Sequence, residues 1–197
     1  MIWLWHNTLV RSFDDSKKIY VILGATDKKS GTYVWLALIN HMLGSKFCIV
    51  TGYRTGAWID QAAEQGEVHG RWTPYSDLSA GKLKWLQRDV TKILLQIGPR
   101  IDEHPEAPSL NSLVSGEFKQ MVDFMALSER VDMGFWVRPE VPCDRIAGLR
   151  QAFVSALSDP RVVKDARKRG AVIDPISGHR IDQMVARAYK SSAWNTV

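Results

Sequence analysis

Cysteine is nearly absent from this chain of 197 residues, which holds two: Cys48 inside an apolar run and Cys143 beside Pro142. Two thiols so placed exclude a disulfide framework and offer no metal-ligand pair at useful spacing, and Cys48 reads as an inert core thiol. Long hydrophobic runs are missing as well. The opening "MIWLWHN" stops at His6 and Asn7, too short for the core of a signal peptide and far too short to span a membrane. The expectation is a cytoplasmic protein, or a chain without its export segment. Neither G-x-G-x-x-G nor G-x-x-x-x-G-K-[ST] occurs, which argues against a nucleotide enzyme. The histidines, His6, His41, His69, His104 and His179, show no H-x-x-x-H spacing, and there is no G-x-S-x-G elbow. With no acid–base or nucleophile set, the chain reads as a non-enzyme without cofactor or metal.

What is present suits a folded protein. A hydrophobic share of 45% with 24% charged residues supports a core, in one large domain or two small ones. The net charge of +5 is spread along the chain with Asp and Glu between the cations. Its densest stretch, "KDARKRG", reads as a solvated helix face and not as a nucleic-acid contact.

The pattern alternates. "SFDDSKK" offers Ser12 as an N-cap with Asp14 and Asp15 in the first turn. "IYVILG", "FCIVTGY" and "KILLQIG" are apolar runs of buried-strand length, with "RWTPYSDLSAGKLKW" a less regular stretch before the third. Between the first two, Val34, Leu36, Leu38, Ile39, Met42 and Leu43 recur at helical spacing and end at Gly44; Ile59, Ala62 and Ala63 form a second helix ending at Gly66. Asp60 and Glu64 fall at i and i+4 there, as on many solvated faces. Strand, helix, strand, helix, strand predicts an α/β fold with a parallel sheet. Beyond the proline-rich 99–108 come helices over about 115–128, from Asp144 (Ile146, Leu149, Phe153 and Leu157 on one face), over about 161–169, and over "HRIDQMVARAYKS", with "GFWVRPEVP" as an extended run among them.

In parallel α/β sheets, ligands sit beyond the carboxyl ends of strands, where helix N-termini present free N–H groups. Two consecutive turns here, "GATDKKSGT" and "TGYRTGA", combine Gly, hydroxyls and cations, the chemistry that favours a carboxylate or phosphate. Read singly, Ser30 and Thr32 are N-caps and Gly52 and Gly56 shape turns; as a pair, the loops point to a small-anion site.

The run from Gly24 to Arg71, with "EAPSL", "GFWVRPEVPCDRIAGLRQAFVSALSDPRV" and "RGAVIDPISG", resembles the second lobe and C-terminal segment of the TctC or Bug family, solute-binding receptors of tripartite tricarboxylate transporters. The resemblance implies a type II periplasmic-binding-protein fold with an incomplete first lobe: 1–133 as the ligand-binding lobe and 134–197 as the helical segment of the first. It implies a small carboxylate as ligand, transporter membrane subunits as partners, and a periplasmic location. The implied ligand contacts are Ser30, Gly31 and Thr32 on the first turn and Tyr53, Arg54, Thr55, Gly56 and Ala57 on the second, with Asp60 and Arg71 as weaker candidates. The alternative is a remnant or interaction module that keeps the fold without binding. The faces around Leu149 and around Ile181, Met184, Val185 and Ala188 are expected to fold back on the chain's own sheet or to meet a second copy, as a homodimer.

Overall fold

The computed structural model describes residues 1–98, 101, 104–131, 134–169, 173 and 175–190, with backbone alone at 79–81, 83, 128–131 and 187–190. Parts of "PRIDEHPEAPSL" and "RGAVIDPISG", the boundary near residue 133 and the side chain of Ala188 lie outside what is described.

Among the described residues five strands form one sheet: β1 (Ile2–Trp5), β2 (Val21–Gly24), β3 (Phe47–Val50), β4 (Gly70–Trp72) and β5 (Thr91–Leu95), in the order β3-β2-β4-β1-β5. β2 pairs in parallel with β3 and β4, while β1 runs antiparallel to both of its neighbours, β4 and β5. The α/β expectation holds: the three strands predicted, β2, β3 and β5, run the same way as β4 in a largely parallel sheet, and β1, not assigned as a strand in the sequence, runs against them. "MIWLW" is a buried strand inside the sheet, with Ile2 and Leu4 on one face and Trp3 on the other. The stretch read as irregular before β5 supplies β4 and two short helices, α3 (Tyr75–Gly81) and α4 (Leu83–Gln87).

Helix α1 (Gly31–Leu43) follows β2 and covers one face, burying Trp35, Leu36 and Ile39 among Val21, Leu23, Phe47 and Leu94. It ends as its sequence predicts, at Gly44 with φ 68°, a conformation that a side chain disfavours. Helix α2 (Gly56–Glu64) covers the other face, burying Ile59, Ala62 and Ala63 with Trp3, Val68 and Ile93. The helix start predicted at Ser12 is a 3₁₀ turn over Asp14–Lys17 with Phe13 at its N-cap position; Ser12, one residue earlier, pairs reciprocally with Asp15, its Oγ accepting from the Asp15 N–H at 3.3 Å and its own N–H donating to Asp15 Oδ2 at 2.9 Å.

Cys48 corrects an expectation. It is exposed, because β3 is an edge strand whose residues alternate: Phe47 and Ile49 face α1, and Cys48 turns to the opposite, open side. The edge is partly closed by Asn40 of α1, which accepts from the Phe47 N–H and donates to the Phe47 carbonyl, both at 2.9 Å.

Among the described residues five further helices follow β5, the first four being α5 (Leu110–Leu113), α6 (Gly116–Val131), α7 (Cys143–Ser158) and α8 (Pro160–Lys168). The last is α9 (Gly178–Lys190). α5 and α6 reach the core through Leu110 and Val122. α7 and α8 bury no residue, and the joined face predicted on α7 is half-buried at Ile146, Phe153 and Leu157 and exposed at Leu149.

Candidate functional site

The ends of β2 and β3 carry the two loops singled out in the sequence, and the sheet register brings them side by side. The Ala25 N–H donates to the Val50 carbonyl at 2.8 Å, and the Gly52 N–H donates to the Thr26 carbonyl at 3.0 Å. Gly52 makes this crossing with φ 112°, a value that favours glycine. The N-termini of α1 and α2 therefore open at one edge of the sheet, each with first-turn N–H groups that have no acceptor within the helix.

The hydroxyls there are not helix caps. Neither Ser30 before α1 nor Thr55 before α2 makes a side-chain capping bond. In the first loop Thr32 Oγ1 is a hub: it accepts from the Thr26 N–H at 3.1 Å, lies 3.2 Å from Thr26 Oγ1 and meets Ser30 Oγ. Ser30 Oγ also donates to the Asp27 carbonyl at 2.8 Å, and Asp27 Oδ1 accepts from the Lys29 N–H at 2.8 Å. The loop is thus held by its own side chains, with Lys28, Lys29 and Gly31 exposed at its surface. Thr26, a participant outside the predicted contacts, was legible as a hydroxyl in the same turn.

In the second loop Tyr53 is half-buried, and burial, with the Glu67 carboxylate adding, raises its phenol pKa, so it stays a neutral hydroxyl. Arg54, Thr55 and Ala57 are exposed, and the Arg54 guanidinium carbon sits 5.8 Å from the Trp58 ring centre.

Asp60 and Arg71 lie behind the loops and pair with each other. Asp60, read as one of two carboxylates on a solvated face, is 3% exposed and Arg71 is 8% exposed. Arg71 Nε meets Asp60 Oδ1 at 2.7 Å and Nη2 meets Oδ2 at 3.2 Å, a two-point clasp between β4 and α2. Lys82 Nζ, 3.6 Å from the Trp85 ring centre, adds a contact to Asp60 Oδ2 at 3.3 Å. One carboxylate thus faces two cations, leaving a net positive charge beneath the first turn of α2. A Cβ on Gly56 would stand 3.0 Å from the Arg71 guanidinium carbon, so the helix start rests directly on that group.

Thr73, immediately past β4, donates from Oγ1 to Asp77 Oδ2 at 3.3 Å. The sequence reading had no signal for it, because three residues with an arginine in the middle do not resemble a strand. Past β5, the buried Gln96 donates to the carbonyls of Ile101, His104 and Ala107 and accepts from the Ile101 N–H, organising the connection that follows. Among the described residues no group of three or more His, Cys, Asp or Glu could hold a metal ion, and no helix is long and apolar enough to cross a membrane.

No protein-family model and no curated protein sequence matches the chain. Solved structures do. A TctC solute-binding protein from Polaromonas, without ligand, superposes with a TM-score of 0.65 at 13% identity, over 100% of this chain and 65% of its own. Rpa4515 of R. palustris, solved with adipate, gives 0.58 at 13% identity, over 96% of this chain and 62% of its own. The likeness is one of fold, that of a periplasmic-binding-like α/β protein, and the chain spans less than two thirds of the length of either neighbour.

Proposed function

We propose that this chain carries the ligand-binding lobe of a solute receptor for small organic carboxylates, with residues 1–133 as that lobe and 134–197 as the C-terminal helical segment of the first lobe. The observation that carries the reading is the juxtaposition of the α1 and α2 N-termini, tied by the Gly52 to Thr26 bond, with hydroxyls not used as caps and with Arg54 exposed beside them. A carboxylate at that edge would meet helix-end N–H groups, Ser30, Thr32 and Thr55, over a buried cluster of positive balance. The fold shared with solute-binding proteins supports a small-molecule ligand. Delivery to membrane subunits of a tripartite transporter, from the periplasm, is the role that such a receptor would serve.

The test is calorimetric titration of the full chain with citrate, malate, glutamate, adipate and an aromatic acid. Saturable binding to at least one is expected, and Arg54→Ala is expected to weaken it by about 1.5–3 kcal/mol, as for a hydrogen bond to a charged group. Silence across the panel would leave the alternative, an interaction module with the fold and no ligand.

That alternative has its own support in the exposed apolar side chains Phe135, Trp136, Leu149 and Val154. They would be covered by a first lobe or by a second copy. Light scattering of the 22.3 kDa chain distinguishes a homodimer from a monomer.

A further inference from the structure

We propose that the outer face of α8 docks on the headgroups of an anionic lipid bilayer, through Lys164, Arg167 and Lys168. This goes beyond the carboxylate reading and shares no residue with that site, so it holds whether or not a carboxylate binds. The three cations stand at i, i+3 and i+4 and therefore occupy one side of the helix. All three are exposed, while Val163 and Ala166, half-buried, mark the side turned toward the protein.

A solvated helix face ordinarily mixes its charges, and this one does not. The two carboxylates nearest to it are engaged elsewhere. Asp159 caps the helix, accepting from the Arg161 N–H at 2.8 Å and pairing with the Arg161 guanidinium at 2.8 Å, and Asp165 meets Arg169 Nε at 2.9 Å. Farther along the arm, Glu140 pairs with Arg138 and Asp182 with Arg150. Lys164, Arg167 and Lys168 have no ion-pair partner among the described residues. The helix dipole favours Arg167 and Lys168, which stand in the last turn, but Lys164 lies a turn earlier. Like charges at i and i+4 repel, so Lys164 and Lys168 side by side carry a strain that an anionic partner would relieve.

The chemistry of the face narrows the partner. It carries no aromatic or large apolar side chain, the kind of anchor on which a shape-matched protein contact depends. Its cations are long, flexible and unbraced, which suits a diffuse layer of negative charge. A second copy offers no such layer: residues 1–142 have no net charge and 143–197 hold the whole +5. On an anionic bilayer each Lys or Arg near the surface strengthens association about fivefold.

Cosedimentation of the full chain with vesicles of phosphatidylglycerol in phosphatidylcholine, at low salt, tests this. Binding is expected to those vesicles and not to pure phosphatidylcholine, and should vanish near about 1 M salt, where charges are screened within about 3 Å. Lys164→Gln, Arg167→Gln and Lys168→Gln should each weaken it about fivefold and the triple variant about a hundredfold. Lys18→Gln, which removes an exposed cation of the sheet domain, should change it by less than about twofold. The single variants carry the test should the triple one misfold. The proposal is overturned if the native chain ignores the anionic vesicles, if it binds neutral ones equally, or if the Gln variants of α8 bind as the native chain does. Retention on immobilised polyglutamate with none on vesicles also overturns it, and assigns the face to an acidic protein.

Discussion

The sheet with its helices up to residue 131, the lobe of the proposed function, and the helices from residue 134, its arm, bury their apolar side chains to opposite extents. In the lobe, both faces of the sheet are covered: Ile2, Leu4, Leu23, Leu36 and Ile39 are wholly buried on one side and Trp3, Ile59 and Ala63 on the other. In the arm, α7 and α8 bury nothing, and Phe135, Trp136 and Val137 are 87%, 64% and 48% exposed. Charge divides the same way. Residues 1–142 carry sixteen Lys and Arg against sixteen Asp and Glu, so the whole excess of +5 belongs to 143–197. The even spread of charge read along the sequence therefore holds for the lobe alone. Apolar residues at helical spacing are buried only where another element supplies the opposite face, and the arm has a face without one.

The sharpest way to break the comparison is to remove the charge that ties the lobe together. Asp60→Ala would leave Arg71 and the partly buried Lys82 facing each other with no carboxylate, and a buried pair broken at one partner costs about 3–5 kcal/mol. Urea unfolding should show a loss of that order. In the arm, Arg150 and Asp182 also pair, at 2.8 Å, but both are about half exposed, and breaking that bridge by Asp182→Ala should cost less than about 1 kcal/mol. Equal losses from the two variants would mean that the arm is buried in solution.

Next in size are the apolar deletions. Leu36→Ala in α1 removes a fully buried side chain and should cost about 2–5 kcal/mol. Leu149→Ala in α7 removes one that is 55% exposed and should stay within about 0.5 kcal/mol. If Leu149→Ala instead costs as much as a core deletion and the cost grows with protein concentration, a second copy covers that face.

The same contrast explains what could be read from the sequence. α1, α2 and α7 were legible because their apolar spacing is regular and Gly44, Gly66 or a proline marks the end. The two loops were legible because hydroxyls, glycines and cations cluster at strand ends, and the fold brought them together through one backbone bond. β4 was not: its central residue, Arg71, is buried only because Asp60 waits eleven positions earlier on α2, and no local pattern carries such a pair. β1 was not, because a strand that enters antiparallel at the start of the chain has no preceding helix to announce it. Cys48 was misread because "FCIV" is uniformly apolar while an edge strand covers only alternate residues.

The smallest effect expected is one of pH, and it belongs to the lobe. His69 bridges β2 and the start of β4: its backbone N–H donates to the Ile22 carbonyl at 2.7 Å, and its Nδ1 accepts from the Ile22 N–H at 3.1 Å. The second bond needs an unprotonated Nδ1, and burial holds the imidazole pKa below its ordinary 6.5. A depressed histidine favours the folded state only while the ring is neutral. Its contribution is complete above about pH 6.5, where neither state takes up the proton, and is lost as the pH falls from 6.5 toward the lower folded value, because the unfolded chain protonates first. Carboxylates such as Asp15, held below their usual range by backbone N–H groups, lose their part only at more acid pH, so a comparison of pH 7.5 with pH 5.5 isolates the imidazole. Six of the eight tryptophans lie in residues 1–131, so fluorescence follows the lobe. The urea midpoint should fall between pH 7.5 and pH 5.5 in the native chain and fall less in His69→Asn, whose Oδ1 stands where Nδ1 does and can still accept the Ile22 N–H. An equal fall in both would assign the pH dependence to other groups and leave the His69 bond without thermodynamic weight.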